Sequence, residues 1–166
     1  MTRTFRRIGA LGAATLAAVA FSAAAPVAAA PAADGFEFTL YAKEIPSDEG
    51  GEETGQAPEV GDSFAFADDL FRTKGGEAAG RDGVSCTVVR AGNPADLQCV
   101  GTFVLNGGPG GQIAAQTLFS ADPADDTPAA FDIAVTGGTG DFKDVRGWIR
   151  STPDGEYAKL EFHLTR

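Results

Sequence analysis

Gly83-Val84-Ser85-Cys86-Thr87-Val88-Val89-Arg90, then Ala91-Gly92-Asn93-Pro94, then Ala95-Asp96-Leu97-Gln98-Cys99-Val100-Gly101-Thr102-Phe103-Val104-Leu105 read as one β-hairpin. Two apolar, β-branched runs flank a Gly-Asn-Pro cluster, which is the pattern of two strands joined by a turn. With the turn centred between Gly92 and Asn93, Arg90 faces Ala95, Val88 faces Leu97 and Cys86 faces Cys99. Register alone sets the two thiols opposite each other. A disulfide Cys86–Cys99 is the expectation, and a loop of this span contributes roughly 3 kcal/mol in the chain-entropy treatment. The competing reading is a reactive free thiol at Cys86.

Outward from the hairpin, the same pattern recurs. Runs rich in Phe, Val, Ile, Leu and Thr cover 36–44, 63–71, 84–90, 97–106, 112–119, 131–135, 145–151 and 156–165. Gly, Pro, Asp and Asn separate them, and no segment after residue 33 keeps a 3.6-residue period. Eight short strands in one domain imply an all-β fold, either a closed antiparallel barrel or a sandwich. Period-2 parity then sorts the side chains by face. Phe36, Phe38, Leu40, Ala42 and Glu44 share the inner side of the first run, and Phe64, Phe66, Asp68 and Leu70 that of the second. Cys86, Cys99 and Phe103 also point inward. Two segments read as acidic loops, 45–62 and 120–130.

Composition narrows the function classes. The 166 residues carry 13 Lys+Arg against 23 Asp+Glu, a formal charge of −10. This disfavours nucleic acid, whose recognition requires cations on the protein, and equally an anionic membrane surface. One His excludes a multi-His metal site. Residues 1–33 read as a secretory signal peptide, with Arg3, Arg6 and Arg7 before a short apolar run and A-x-A-like cleavage sites within 28–33. An uncleaved anchor helix is the alternative. Removing 1–33 leaves 34–166 as a single domain with 10 basic and 23 acidic residues. The expected product is a secreted, extracellular protein with no membrane contact, where an oxidising milieu favours the disulfide.

Several chemistries lack their motifs. Gly137–Gly140 has no following Lys-Ser/Thr and reads as a tight turn rather than a phosphate loop. No Gly-x-Ser-x-Gly elbow accompanies His163. The acidic stretch 48–62 lacks EF-hand spacing, and no metal site is expected. Trp148, between outward Arg146 and Arg150, reads as a subunit contact or as plain surface cover.

Ile133-Ala134-Val135-Thr136-Gly137-Gly138-Thr139-Gly140-Asp141-Phe142, followed by Arg146-Gly147, resembles the signature of the allene oxide cyclase and dirigent protein superfamily. Gly61-Asp62-Ser63-Phe64-Ala65-Phe66 with Leu70-Phe71, Gly83-Val84-Ser85-Cys86, Gly101-Thr102-Phe103-Val104-Leu105 with Gly111-Gln112-Ile113, and the closing Phe162-His163-Leu164 agree in order. The resemblance covers about residues 36–165 and looks closest to short exported bacterial-type members. It implies a calycin-like, eight-stranded antiparallel barrel, commonly a homotrimer, with an apolar lumen and neither a metal nor an organic cofactor. It also implies a small hydrophobic molecule as the partner, with chemistry by isomerisation, cyclisation or stereochemical guidance.

In the cyclases a carboxylate follows a Tyr on the first strand, with an Asn two residues on. Aligned on Tyr41, these positions fall on Ala42 and Glu44, and a second lumen Asn falls on Asp68. The strand Cys of the cyclases falls on Cys86. Asp68 and Glu44 are therefore the candidate acid/base groups, since a carboxylate facing an apolar lumen loses hydration and its pKa rises. The alternative places both at a solvated mouth. Phe38, Phe66, Phe103 and Cys86 are the expected lumen lining. Three functions fit this reading: an isomerase-type enzyme, a ligand carrier without chemistry, or an inert filled barrel.

Overall fold

A computed structural model of the protein describes residues 35–46, 58–122 and 129–166. The stretch 1–33 read as a signal peptide lies outside the described residues, as do 47–57 and 123–128 of the two acidic loops. The strands are β1 (Gly35–Glu44), β2 (Ser63–Phe71), β3 (Ala78–Arg90), β4 (Ala95–Leu105), β5 (Gly111–Ala121), β6 (Phe131–Gly138), β7 (Arg146–Asp154) and β8 (Tyr157–Thr165). Each pairs antiparallel with its neighbour, and β8 returns to β1, so the sheet closes into a barrel. Of the two architectures the sequence left open, the barrel is the one formed, and closure leaves no strand edge to template other chains.

The up-and-down order sends alternate connections to opposite ends. Glu44, at the end of β1, stands at one end, together with the turn between β3 and β4 and the turn between β7 and β8. Gly35 pairs with Thr165 at the other, where a single 3-10 turn (Gly140–Phe142) joins β6 to β7.

That second end is plugged. Phe142, Ile113, Val145, Leu164, Leu70 and Phe162 are fully buried there or just above it. Phe38 stacks on Phe162 with ring centroids 4.4 Å apart, and Phe36 lies 6.3 Å from Phe142. Burial of each such side chain contributes roughly 1.5–3 kcal/mol.

Three local departures from the sequence reading have physical causes. Arg90 pairs with Asp96 rather than Ala95, because the register slips between Val88 and Arg90. The slip leaves Val89 bulged into solvent and lets Arg90 grip Asp96 through Nε at 2.6 Å and Nη2 at 2.8 Å. Of the expected turn Gly137–Gly140, Gly137 and Gly138 belong to β6, and Gly140, with positive φ, starts the 3-10 turn. A Cβ on Gly138 would fall 2.5 Å from the Phe142 carbonyl oxygen and 2.6 Å from that of Gln112, so the bare backbone lets the 3-10 turn fold back onto the strand.

The third departure matters most for function. β3 begins at Ala78, six residues before Val84. Its first half, Ala78-Ala79-Gly80-Arg81-Asp82-Gly83, lacks the β-branched and aromatic residues that mark a strand. Gly80 is required there, because a Cβ would lie 2.2 Å from the Val104 carbonyl oxygen on the neighbouring strand.

Candidate functional site

The cavity occupies the half of the barrel away from the plug. Its volume is about 440 Å³, within the range of small-molecule sites, and its wall is mostly apolar. Phe66, Phe103, Cys86 and Cys99 line it, as expected, together with Glu44 and Asp68. Phe38 does not. It packs into the plug, where it borders a separate small cavity of about 210 Å³. Parity gives the face of a strand but not the height along the barrel, so Phe38 and Phe66 looked equivalent.

Cys86 and Cys99 are directly opposed on β3 and β4 and joined as a disulfide, with their Cα atoms 4.1 Å apart. Both are buried, and the cross-link is part of the cavity wall rather than a reactive thiol.

Three carboxylates run across adjacent strands in one register row. Glu44 pairs with Asp68, Asp68 with Asp82, and Asp82 with Phe103. Directly opposed residues share a face, so the whole row looks into the lumen. Exposure falls along it: Glu44 is exposed, Asp68 half-buried and Asp82 only 5% exposed. The backbone N–H of Asp68 donates to Asp82 Oδ1 at 3.1 Å. Asp82 lies upstream of Val84, where the strand signal of β3 begins in the sequence. Extending the alternation of Val84, Cys86 and Val88 two residues upstream would have found it.

Burial sets the protonation of the pair. Loss of hydration pushes the Asp82 carboxyl up to about 8, helped by the negative charge of Asp68. Burial also raises Asp68, against the hydrogen bond from Asp82, while the charges of Glu44 and Asp69 add to the rise. The two titrate as a unit, and burial keeps a proton on the pair at neutral pH, with Asp82 the more strongly raised member. One carboxyl poised to donate and one poised to accept, side by side in an apolar cavity, is the arrangement of a general acid/base pair. Among the described residues no three His, Cys, Asp or Glu side chains are grouped to hold a metal ion.

No family model matches the sequence, and no curated protein matches it. Solved structures do. Pyocyanin demethylase is 27% identical with a TM-score of 0.62, and the match covers 78% of this chain and 100% of that one. Two pterocarpan synthase dirigent proteins are 17% and 18% identical, with TM-scores of 0.57 and 0.56. Those matches cover 79% of this chain and 83% and 93% of theirs. The resemblance carried by Ile133–Phe142 holds: the chain folds as an allene oxide cyclase-like barrel, the fold of the dirigent proteins.

Proposed function

We propose that the barrel binds a small hydrophobic molecule in its lumen and moves a proton on it. Asp68 takes a proton from one atom of the ligand while Asp82 returns one to another, so the composition is unchanged and the net reaction is an isomerisation or ring closure. The observation that carries this is the Asp68–Asp82 pair, in contact at 3.1 Å with Asp82 buried, set in the wall of an apolar cavity. Glu44, exposed at the mouth, tunes the pair electrostatically. The names of the structural neighbours, a demethylase of pyocyanin and two pterocarpan synthases, support a small-molecule role.

We place the barrel outside the exporting cell after removal of 1–33, in keeping with its disulfide and with the absence, among the described residues, of any helix long and apolar enough to cross a membrane. A homotrimer is the proposed assembly.

Two probes test the reading. Nile red, neutral and apolar, should brighten on binding the wild-type barrel and not the Ala158→Phe variant, in which a ring occupies the cavity. A desolvated carboxylate base should also open 5-nitrobenzisoxazole. The base removes the ring C–H proton, the N–O bond breaks, and the 2-hydroxy-5-nitrobenzonitrile anion absorbs visibly. Acceleration lost in Asp68→Asn with Nile red binding kept supports catalysis. Equal rates in wild type and variant would leave a carrier without chemistry, and no Nile red binding would leave a filled, inert barrel.

A further inference from the structure

The cavity wall is one-sided in charge. Glu44, Asp68 and Asp82 line it, and the fourth lining carboxylate, Glu156, already has its cation in Lys43. Among the described lining residues there is no Lys, Arg or His. The nearby cations are committed elsewhere. Lys43 bonds Glu156 at 3.2 Å, Lys159 bonds Glu161 at 2.6 Å, and Lys74 pairs with Asp154. With one proton kept on the Asp68–Asp82 pair, the charge that remains on the row, on that pair and on Glu44, meets no cation among the described lining residues.

β5 and β6 lie across the ring of strands from β1–β3 and supply a different wall. There Phe119 and Phe131 stack with centroids 4.7 Å apart and planes 7° from parallel, and both line the cavity. Phe66 and Phe103 add further rings to the lining.

Resting on the reading that the lumen binds a small apolar molecule, we infer that its ligand is a flat aromatic cation, with the ring against the phenylalanines and a positively charged nitrogen toward Asp68 and Asp82. Such a ligand supplies the missing counter-charge and finds favourable ring faces as well. A carboxylate ligand meets the reverse. It loses its hydration in the cavity and finds negative groups with no cation to pair with. The long-range field of a chain with net charge −10 acts in the same direction. The acid row thus discriminates by repulsion as well as by attraction. Fatty-acid carboxylates are disfavoured on this ground.

The test uses three probes of one shape and three charges: 2-naphthylmethylammonium, 2-naphthylmethanol and 2-naphthoate. Binding to the full chain is measured by calorimetry at pH 7.5 and physiological salt. The cation should bind at least tenfold more tightly than the carboxylate, with the alcohol between them. In Asp68→Asn/Asp82→Asn, its fold checked by circular dichroism, that spread should shrink to about threefold. Glu44→Gln, at the exposed rim, gives a variant whose folding is not at risk, and it should narrow the spread by a smaller factor. Alcohol binding with no preference for the cation overturns the charge selectivity and leaves the lumen reading standing. Failure of all three probes to bind overturns the lumen reading and this inference together.

Discussion

Asp68 on β2 and Asp82 on β3 stand directly opposite one another, and the backbone N–H of Asp68 donates to Asp82 Oδ1 at 3.1 Å. The contact ties one carboxyl to the other's main chain. The two act as a unit, and a substitution at one is felt at the other.

The first consequence is a pH-dependent stability. Asp82 titrates at about 8 in the folded chain against an ordinary value of 3.8. Between these values the folded state holds a proton that the unfolded state has lost, so stability falls as pH rises through this window. The slope for one proton is about 1.4 kcal/mol per pH unit, and the loss is complete above pH 8. Asp82→Asn should flatten that slope. Its melting temperature should match the wild type near pH 4 and exceed it at pH 9. Parallel melting curves for the two proteins across this range would refute the buried charge.

Glu44 supplies a second prediction. Its charge helps raise Asp68, so Glu44→Gln should move the Asp68 pKa down toward the usual carboxylate range. Carboxyl carbon shifts of labelled aspartate, followed by NMR against pH, read this directly.

The disulfide is a third. Replacing Cys86 and Cys99 with Ala frees a closed loop of 13 residues, and the chain-entropy treatment puts the loss at roughly 3 kcal/mol. Denaturant melts of the variant and of the reduced wild type should agree. Intact-mass analysis after alkylation should find no free thiol in the native protein.

The plug is the fourth. Phe142→Ala empties a fully buried site and should cost about 3–5 kcal/mol. Gly138→Ala drives a methyl into the carbonyl oxygens of Phe142 and Gln112 and should destabilise the same end by roughly 1–3 kcal/mol. Urea titration distinguishes both from a surface change such as Lys159→Ala, expected within about 0.5 kcal/mol.

Much of the barrel was legible because closed antiparallel sheets repeat a short rule. Alternation along Phe36–Phe38–Leu40 and Leu160–Phe162–Leu164 marks the inner face wherever the side chains are large. The hairpin register read from the Gly92-Asn93-Pro94 turn holds from Val88 outward and fails only beside the turn, where Val89 bulges. The site was legible by halves. Asp68 stood out as a charge between Phe66 and Leu70. Its partner Asp82 stands among Ala and Gly residues that carry no strand signal, and of these Gly80 is dictated by its close approach to Val104. Height along the barrel axis was not legible, since it depends on strand stagger. For that reason alternation alone points Phe38 to the cavity, whereas it lies in the plug.

The pairing of Gly35 with Thr165 has an architectural consequence. The barrel is entered and left by neighbouring strands at its closed base, the end remote from Glu44. Whatever is tethered at either extremity, a carrier surface, a reporter or a second protein, departs from beneath the vessel and leaves its opening unshadowed. The same adjacency makes the point of opening of the ring arbitrary. A short bridge from Thr165 to Gly35, with new termini at Gly155 between β7 and β8, would redraw the chain without moving a strand.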